Sequence, residues 1–203
     1  MVDRRQLLTG GAALGAAAWV TPSVLTLDRV GAAVGSCVAD VPVASDGAVL
    51  IGPPPNMNEG TPGLDSNVNS FVWLESEAEI LDNDLLVNRT IAGSFNGSSN
   101  QNAIIPAGTE IASYLIHGDR LDDNGFLQGT VTFPNAMILG LIYRTAELNA
   151  SNFLSSPTTA GNPEAMETGD TMILDLTPGA NSISFRMRFG PALDNIRVII
   201  SCS

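Results

Sequence analysis

Ile111-Ala112-Ser113-Tyr114-Leu115-Ile116-His117 runs into the acidic loop Gly118-Asp119-Arg120-Leu121-Asp122-Asp123-Asn124-Gly125, and from there into Gln128-Gly129-Thr130-Val131-Thr132-Phe133. After a Pro134-Asn135 break comes Met137-Ile138-Leu139-Gly140-Leu141-Ile142-Tyr143. Runs of β-branched and aromatic residues separated by Asp, Asn, Gly and Pro predict strand, loop, strand, turn, strand, an antiparallel meander. The same grammar continues downstream. In Ile183-Ser184-Phe185-Arg186-Met187-Arg188-Phe189 four apolar side chains point one way, and Ser184, Arg186 and Arg188 point to water. Residues 172–176 alternate before the Pro178-Gly179 turn, and residues 196–200 form a last apolar run.

Upstream, residues 71–74 read as the first firm strand, continuing through Glu75 to Leu81, with Asp82-Asn83-Asp84 as a turn and residues 85–88 as the next strand. Residues 38–43 and 48–51 read as short edge strands, where proline is tolerated. Residues 93–102 read as a flexible loop. The helical hint is confined to residues 145–154, with Asn149 as a candidate N-cap. About eight to ten short strands with so little helix predict an all-β fold, a two-layer antiparallel β-sandwich of jelly-roll-like type.

The chain has 203 residues and an apolar content of 44%, which suits one domain, residues 37–203, behind an N-terminal export segment, residues 1–36. All nine basic residues are Arg, and against 21 acidic residues they leave a net charge of −12. Loss of three Arg and two Asp with the leader moves this to −13. Phosphate binding needs clustered cations, so nucleic acid and an anionic membrane surface are not expected partners. Solubility outside the cell, or binding of a divalent cation, fits better.

Asp3-Arg4-Arg5-Gln6-Leu7-Leu8-Thr9 resembles a twin-arginine export signal, with Arg4 and Arg5 as its pair. The run that follows is rich in Ala and Gly and only mildly apolar, and Ala33 and Gly35 offer small residues for cleavage near Val34 to Ser36. Secretion or residence in the cell envelope is therefore expected, with no membrane attachment after signal removal. Retention as an uncleaved anchor is the competing outcome, disfavoured by Gly10, Gly11, Gly15 and Pro22. Cys37 and Cys202 lie at opposite ends of the mature chain and predict a disulfide clasp in an oxidising compartment. Closing a loop of ~165 residues would remove about 5 kcal/mol of unfolded-chain entropy in the simplest treatment. Val34-Gly35-Ser36-Cys37 also resembles a lipoprotein box, and a buried free thiol at Cys202 is a further alternative.

Three strings carry a resemblance over residues 71–198. They are Ala107-Gly108-Thr109 leading into Ile111, Ser113-Tyr114-Leu115, His117 and Asp119; Gly129-Thr130-Val131-Thr132-Phe133 with Ile138-Leu139-Gly140; and Asp194-Asn195-Ile196-Arg197-Val198. Here the chain resembles a group of uncharacterised exported bacterial β-sandwich proteins, some of which carry a C-terminal sorting tag of the PEP type. The resemblance implies a sandwich fold and export, and no activity. No such tag precedes Ser203, so covalent surface sorting by that route is not expected.

Several residues are candidates for chemistry. Asp119, Asp122, Asp123 and Asn124 gather oxygen ligands suited to a structural Ca²⁺, although Asn124-Gly125 equally makes a turn. Asp194 at the start of the last strand is a second possible Ca²⁺ ligand, by analogy. Glu75, Glu77 and Glu79 fall at period two, which a regular strand would place on one face about 7 Å apart. Glu77 and Asp82 match the spacing of the carboxylate motif in laminarinase-like sandwich glycosidases, where retaining hydrolysis needs carboxyls about 5 Å apart. A solvated edge protected by charge explains the same residues. Trp73 could stack on a sugar beside Glu75 and Glu77, against the default of a core Trp. His117, the single histidine, has no second His or nucleophile elbow around which to build a zinc site or triad. The leading expectation is an exported non-catalytic module in a binding or structural role, with glycan as the favoured ligand and no required cofactor. The alternative is a small secreted glycoside hydrolase using Glu77 and Asp82.

Overall fold

The structure, a computed structural model, describes residues 39–58, 60–122, 124–157, 159, 161, 163–179, 181–189 and 193–202. The export segment with Arg4 and Arg5, together with Cys37 and Asp123, lies outside the described residues. The chain divides into Met1–Val34 and Gly35–Ser203, and everything described belongs to the second unit.

Its strands, in chain order, are β1 (Val43–Ser45), β2 (Ala48–Leu50), β3 (Ser70–Ile80), β4 (Leu85–Val87), β5 (Gly93–Asn96) and β6 (Ala103–Ile105). There follow β7 (Glu110–Gly118), β8 (Gly125–Thr132), β9 (Ile138–Ile142), β10 (Thr171–Asp175), β11 (Ser182–Phe189) and β12 (Asp194–Ser201). Among the described residues one helix, α1 (Thr145–Ala150), leads into a 3-10 turn, Asn152–Leu154. Sheet A has the order β1-β8-β11-β10-β5, sheet B the order β2-β3-β7-β12-β9, and β4 and β6 form a separate ribbon. The fold is an all-β sandwich, antiparallel except where β2 meets β3 in parallel; these orders do not establish jelly-roll connectivity.

The expected meander is not one. β7 pairs with β3 and β12 in sheet B, whereas β8 pairs with β1 and β11 in sheet A. The acidic loop therefore crosses between layers instead of closing a hairpin. Burial gives the reason: β8 alternates between buried and accessible residues, the mark of a sheet open on one face, while β7 is buried along nearly its whole length. Three local expectations also change. Residues 93–96 form β5 because Phe95 enters the core beside β10. Asn149 lies inside α1, whose N-cap is Arg144 without a side-chain cap. β1 begins at Val43, not at residue 38.

Two register shifts in β3, at Leu74/Ser76 and Ser76/Glu79, interrupt the period of two, with Ala78 at φ 50°. Glu75, Glu77 and Glu79 consequently do not share one face. Glu75 is buried, and Glu77 is exposed.

Between the sheets lies the main core, to which β7 gives Ala112, Tyr114 and Ile116, and β12 gives Ile196, Val198 and Ile200. Sheet B is covered on its other face too. Leu148 and Leu154 of the helical segment, with Leu85, Val87 and Ile105 of the ribbon, pack on Ile111, Ile142 and Ile199. Met57 and Leu64 pack on Trp73 and Leu115. The result is a sandwich with a third, irregular layer on sheet B, and an outer face of sheet A left open among the described residues.

Between these two outer clusters Arg197 is fully buried. Its Nε and Nη2 donate to the Glu75 carboxylate at 2.6 and 2.8 Å, Nη1 donates to the Leu148 carbonyl and Ser151 Oγ, and Nη2 also donates to Ser155 Oγ. Ser113 Oγ donates to the same carboxylate at 2.9 Å. Every guanidinium hydrogen thus has an acceptor. Removing one member leaves the other charge buried and unpaired, so Glu75→Ala is expected to cost about 3–5 kcal/mol. The joint replacement of Glu75 and Arg197 by Leu and Met should cost far less. Urea unfolding of the three variants at neutral pH checks both; equal losses in single and double variants would refute the role of the pair.

Candidate functional site

Trp73 is 0% exposed on the covered face of sheet B, and Glu75, at 6%, is engaged by Arg197. Neither can meet a ligand at the surface, which corrects the expectation for both. The sequence signal for this was Arg197 itself, a lone charge inside the otherwise apolar run Ile196 to Ile200, which demands a buried counter-charge.

His117 is buried beside Trp73, with ring centroids 5.8 Å apart, and its Nδ1 lies 3.0 Å from Asn195 Oδ1. Asn195 Nδ2 donates to the Glu164 carbonyl, which fixes the amide so that Oδ1 faces the imidazole. Nδ1 therefore carries the proton. Burial lowers the imidazole pKa, so the ring is neutral and serves as a fixed hydrogen-bonding group at the strand end.

The expected Ca²⁺ ligands are dispersed. Asp119 is buried and accepts the Gly60 amide at 3.0 Å, and its charge adds to burial in raising the pKa of the neighbouring Asp65. Asp122 is taken up by Arg120 at 2.8 and 3.0 Å, which lowers its pKa. Among the described residues no three acidic, His or Cys side chains are grouped so as to hold a metal ion.

What the structure does assemble near the expected carboxylates is a cleft of about 310 Å³ lined by Glu79, Asp82, Asn83, Asp84 and Phe153. The second register shift of β3 precedes Glu79, and Asp84 is held by the Ala107 amide, which donates to Oδ1 at 2.9 Å. Phe153 sits in the 3-10 turn, flanked by Ser151 and Ser155, both of which accept from Arg197. The buried ion pair thus anchors the turn that presents this ring, which is 59% exposed. Glu77 does not line the cleft. An exposed aromatic ring beside carboxylate and amide groups offers a stacking surface with hydrogen-bonding partners for hydroxyls. Sequence reasoning missed Phe153 because nothing local distinguishes it from a core residue.

A second feature lies at one end of the sandwich. Asp194 is 2% exposed and, by alternation along β12, on the face shared by Ile196 and Val198. Its carboxyl is pushed up to about 9, first by burial and then by the charges of Asp170, Glu167 and Glu164. Asp170 is also buried, accepting the Arg188 and Glu167 amides, and burial raises its pKa as well. Outside them runs a groove of about 660 Å³ whose walls include Arg144, Glu147, Glu167 and Thr168.

Compared with protein-family models, with curated proteins and with solved structures, the chain has no match in any of the three.

The buried acid has a consequence for stability. Asp194 keeps its proton in the folded state to about pH 9, whereas the unfolded side chain releases it near its ordinary value of 3.8. Its contribution is therefore fully present below the lower value and is lost as pH rises toward the upper one. Asp194→Asn, which resembles the protonated acid, should flatten the fall in urea midpoint across that window and be the more stable protein on its alkaline side. A variant that keeps the parental pH slope would refute the assignment.

Proposed function

We propose that the protein is an exported, non-catalytic β-sandwich module that acts in the cell envelope or outside the cell by binding glycan. The observation that carries the reading is the cleft in which Phe153 stands exposed beside Glu79, Asp82, Asn83 and Asp84. Apolar sugar faces stack on aromatic rings, and carboxylate and amide oxygens accept hydroxyl protons. The twin-arginine-like leader and the group of exported sandwich proteins that the strand strings resemble support the location. So does a Cys202 that is not a free thiol, as a clasp to Cys37 would require.

A second reading has one observation in its favour: Glu79 and Asp82 line the same cleft, so a pair of carboxyls is available for glycoside hydrolysis. Glu79 would take the part that spacing alone suggested for Glu77.

The mature, oxidised protein incubated with a panel of insoluble polysaccharides separates these readings. The module predicts depletion of protein from the supernatant with no sugar released, and about tenfold weaker retention for Phe153→Ala. Released sugar, abolished by Glu79→Gln, would replace the module with the hydrolase. Retention unchanged in Phe153→Ala would remove the cleft from consideration.

A further inference from the structure

The outer face of sheet A is the open surface of the sandwich, and its chemistry differs from that of the rest of the chain. The register of β8, β10 and β11 puts Asp175 on this face with Arg186 and Arg188. One acid against two Arg stands out in a protein with 21 acidic and nine basic residues. Neither guanidinium is ion-paired among the described residues. Arg186 lies over the Phe126 ring at 3.4 Å, a stacking that fixes the plane of the guanidinium and leaves its N–H edge available.

The remainder of the face is hydroxyl and amide. Ser45, Thr130 and Ser184 stand in one row across β1, β8 and β11, the last two hydrogen-bonded at 3.0 Å. Beyond them, between β10 and β5, a shallow trough of about 390 Å³ is bordered by Ser94, Asn96, Thr171 and Ile173. Protein–protein interface cores are poor in Ser, so a hydroxyl-rich face with isolated aliphatic residues is a poor fit to a second protein. It suits a flat, hydroxylated polymer, and the local excess of Arg supplies charge complementarity to carboxylates on it.

We infer that the outer face of sheet A binds a carboxylate-bearing polysaccharide, with Arg186 as the bidentate anchor for a uronate group, Phe126 as its stacking support and the Ser/Thr rows receiving the sugar hydroxyls. This deepens the glycan reading but uses a surface separate from the Phe153 cleft. Arg188 plays a lesser part, because Glu167 lies in the depression beside it and shares its charge.

The test uses the full mature protein with soluble polygalacturonate and its methyl-esterified counterpart, at low and at high salt. Expected are binding to the free acid that weakens with salt, weaker binding to the ester, and about tenfold loss on the acid for Arg186→Gln, with Arg186→Lys between them. Phe153→Ala should retain this binding even where it loses retention on neutral polysaccharide, so the two sites fail separately. Because Arg186 is exposed, an unchanged thermal midpoint in Arg186→Gln serves as the folding control. Equal binding of acid and ester, an Arg186→Gln variant that binds as the parent does, or no binding at all would overturn the inference. Salt-sensitive self-association without polymer binding would also overturn it, and would assign the face to a second copy of the chain.

Discussion

The buried Glu75–Arg197 pair is the constraint on which the outer architecture depends. It joins β3 to β12 across the intervening β7 and, through Leu148, Ser151 and Ser155, fastens the helical segment to sheet B. A buried ion pair contributes little net stability compared with an apolar replacement of similar volume, because both charges must first be stripped of water. Its value here is in position. Apolar contacts alone would let the short α1 and the turn after it settle in many ways on a smooth aliphatic surface. A planar guanidinium with five directed donors permits far fewer. A Lys at position 197 could supply neither the fork to Glu75 nor the three further bonds.

That arrangement divides the molecule unequally. Sheet B spends both faces on burial, so its side chains hold the fold and position others. Sheet A spends one, and its second face remains for contact with whatever surrounds the protein. The groups proposed to face a ligand follow this division. Phe153 belongs to the layer that covers sheet B, and Arg186 and Phe126 belong to the face that no described element covers. Trp73, the residue whose chemistry best suits a sugar, is where such chemistry cannot be used.

The fold class was legible because strand periodicity is local. β11 shows the clean alternation of a half-exposed strand, and its apolar and polar faces fell as its residues indicate. Pairing was less legible. Ile111 to His117 and Gln128 to Phe133 look like successive strands of one ribbon, and what separates them is whether one face or two must be covered, a property of the whole assembly. Glu75 looked like one of three equivalent carboxylates because the shifts that break the equivalence arise where β3 adjusts to β7, and its partner is 122 residues away. β5 was hidden by its composition, since Gly93, Ser94 and Asn96 are turn formers and only Phe95 supplies the burial. Of the candidate site, Glu79 and Asp82 were members of the expected acidic stretch, although spacing paired Asp82 with Glu77, while Phe153 required the tertiary structure.

The turn at Asp46 and Gly47 joins β1 to β2, yet the first enters sheet A and the second enters sheet B. A Cβ at Gly47 would stand 2.5 Å from the Gln128 carbonyl, so the bend is pressed directly onto β8. At the other end of the sequence, β12 lies inside sheet B with β7 and β9 on its two sides. An inner strand of that sheet therefore comes from a segment far along the chain from β7, its neighbour. A nascent chain still lacking β12 would expose the apolar flanks of β7 and β9 with their backbone groups unpaired, an invitation to join strands with a neighbour. Sheet B thus closes only once β12 is in place between its two neighbours, so its folding is a joint event of distant strands rather than one that advances strand by strand.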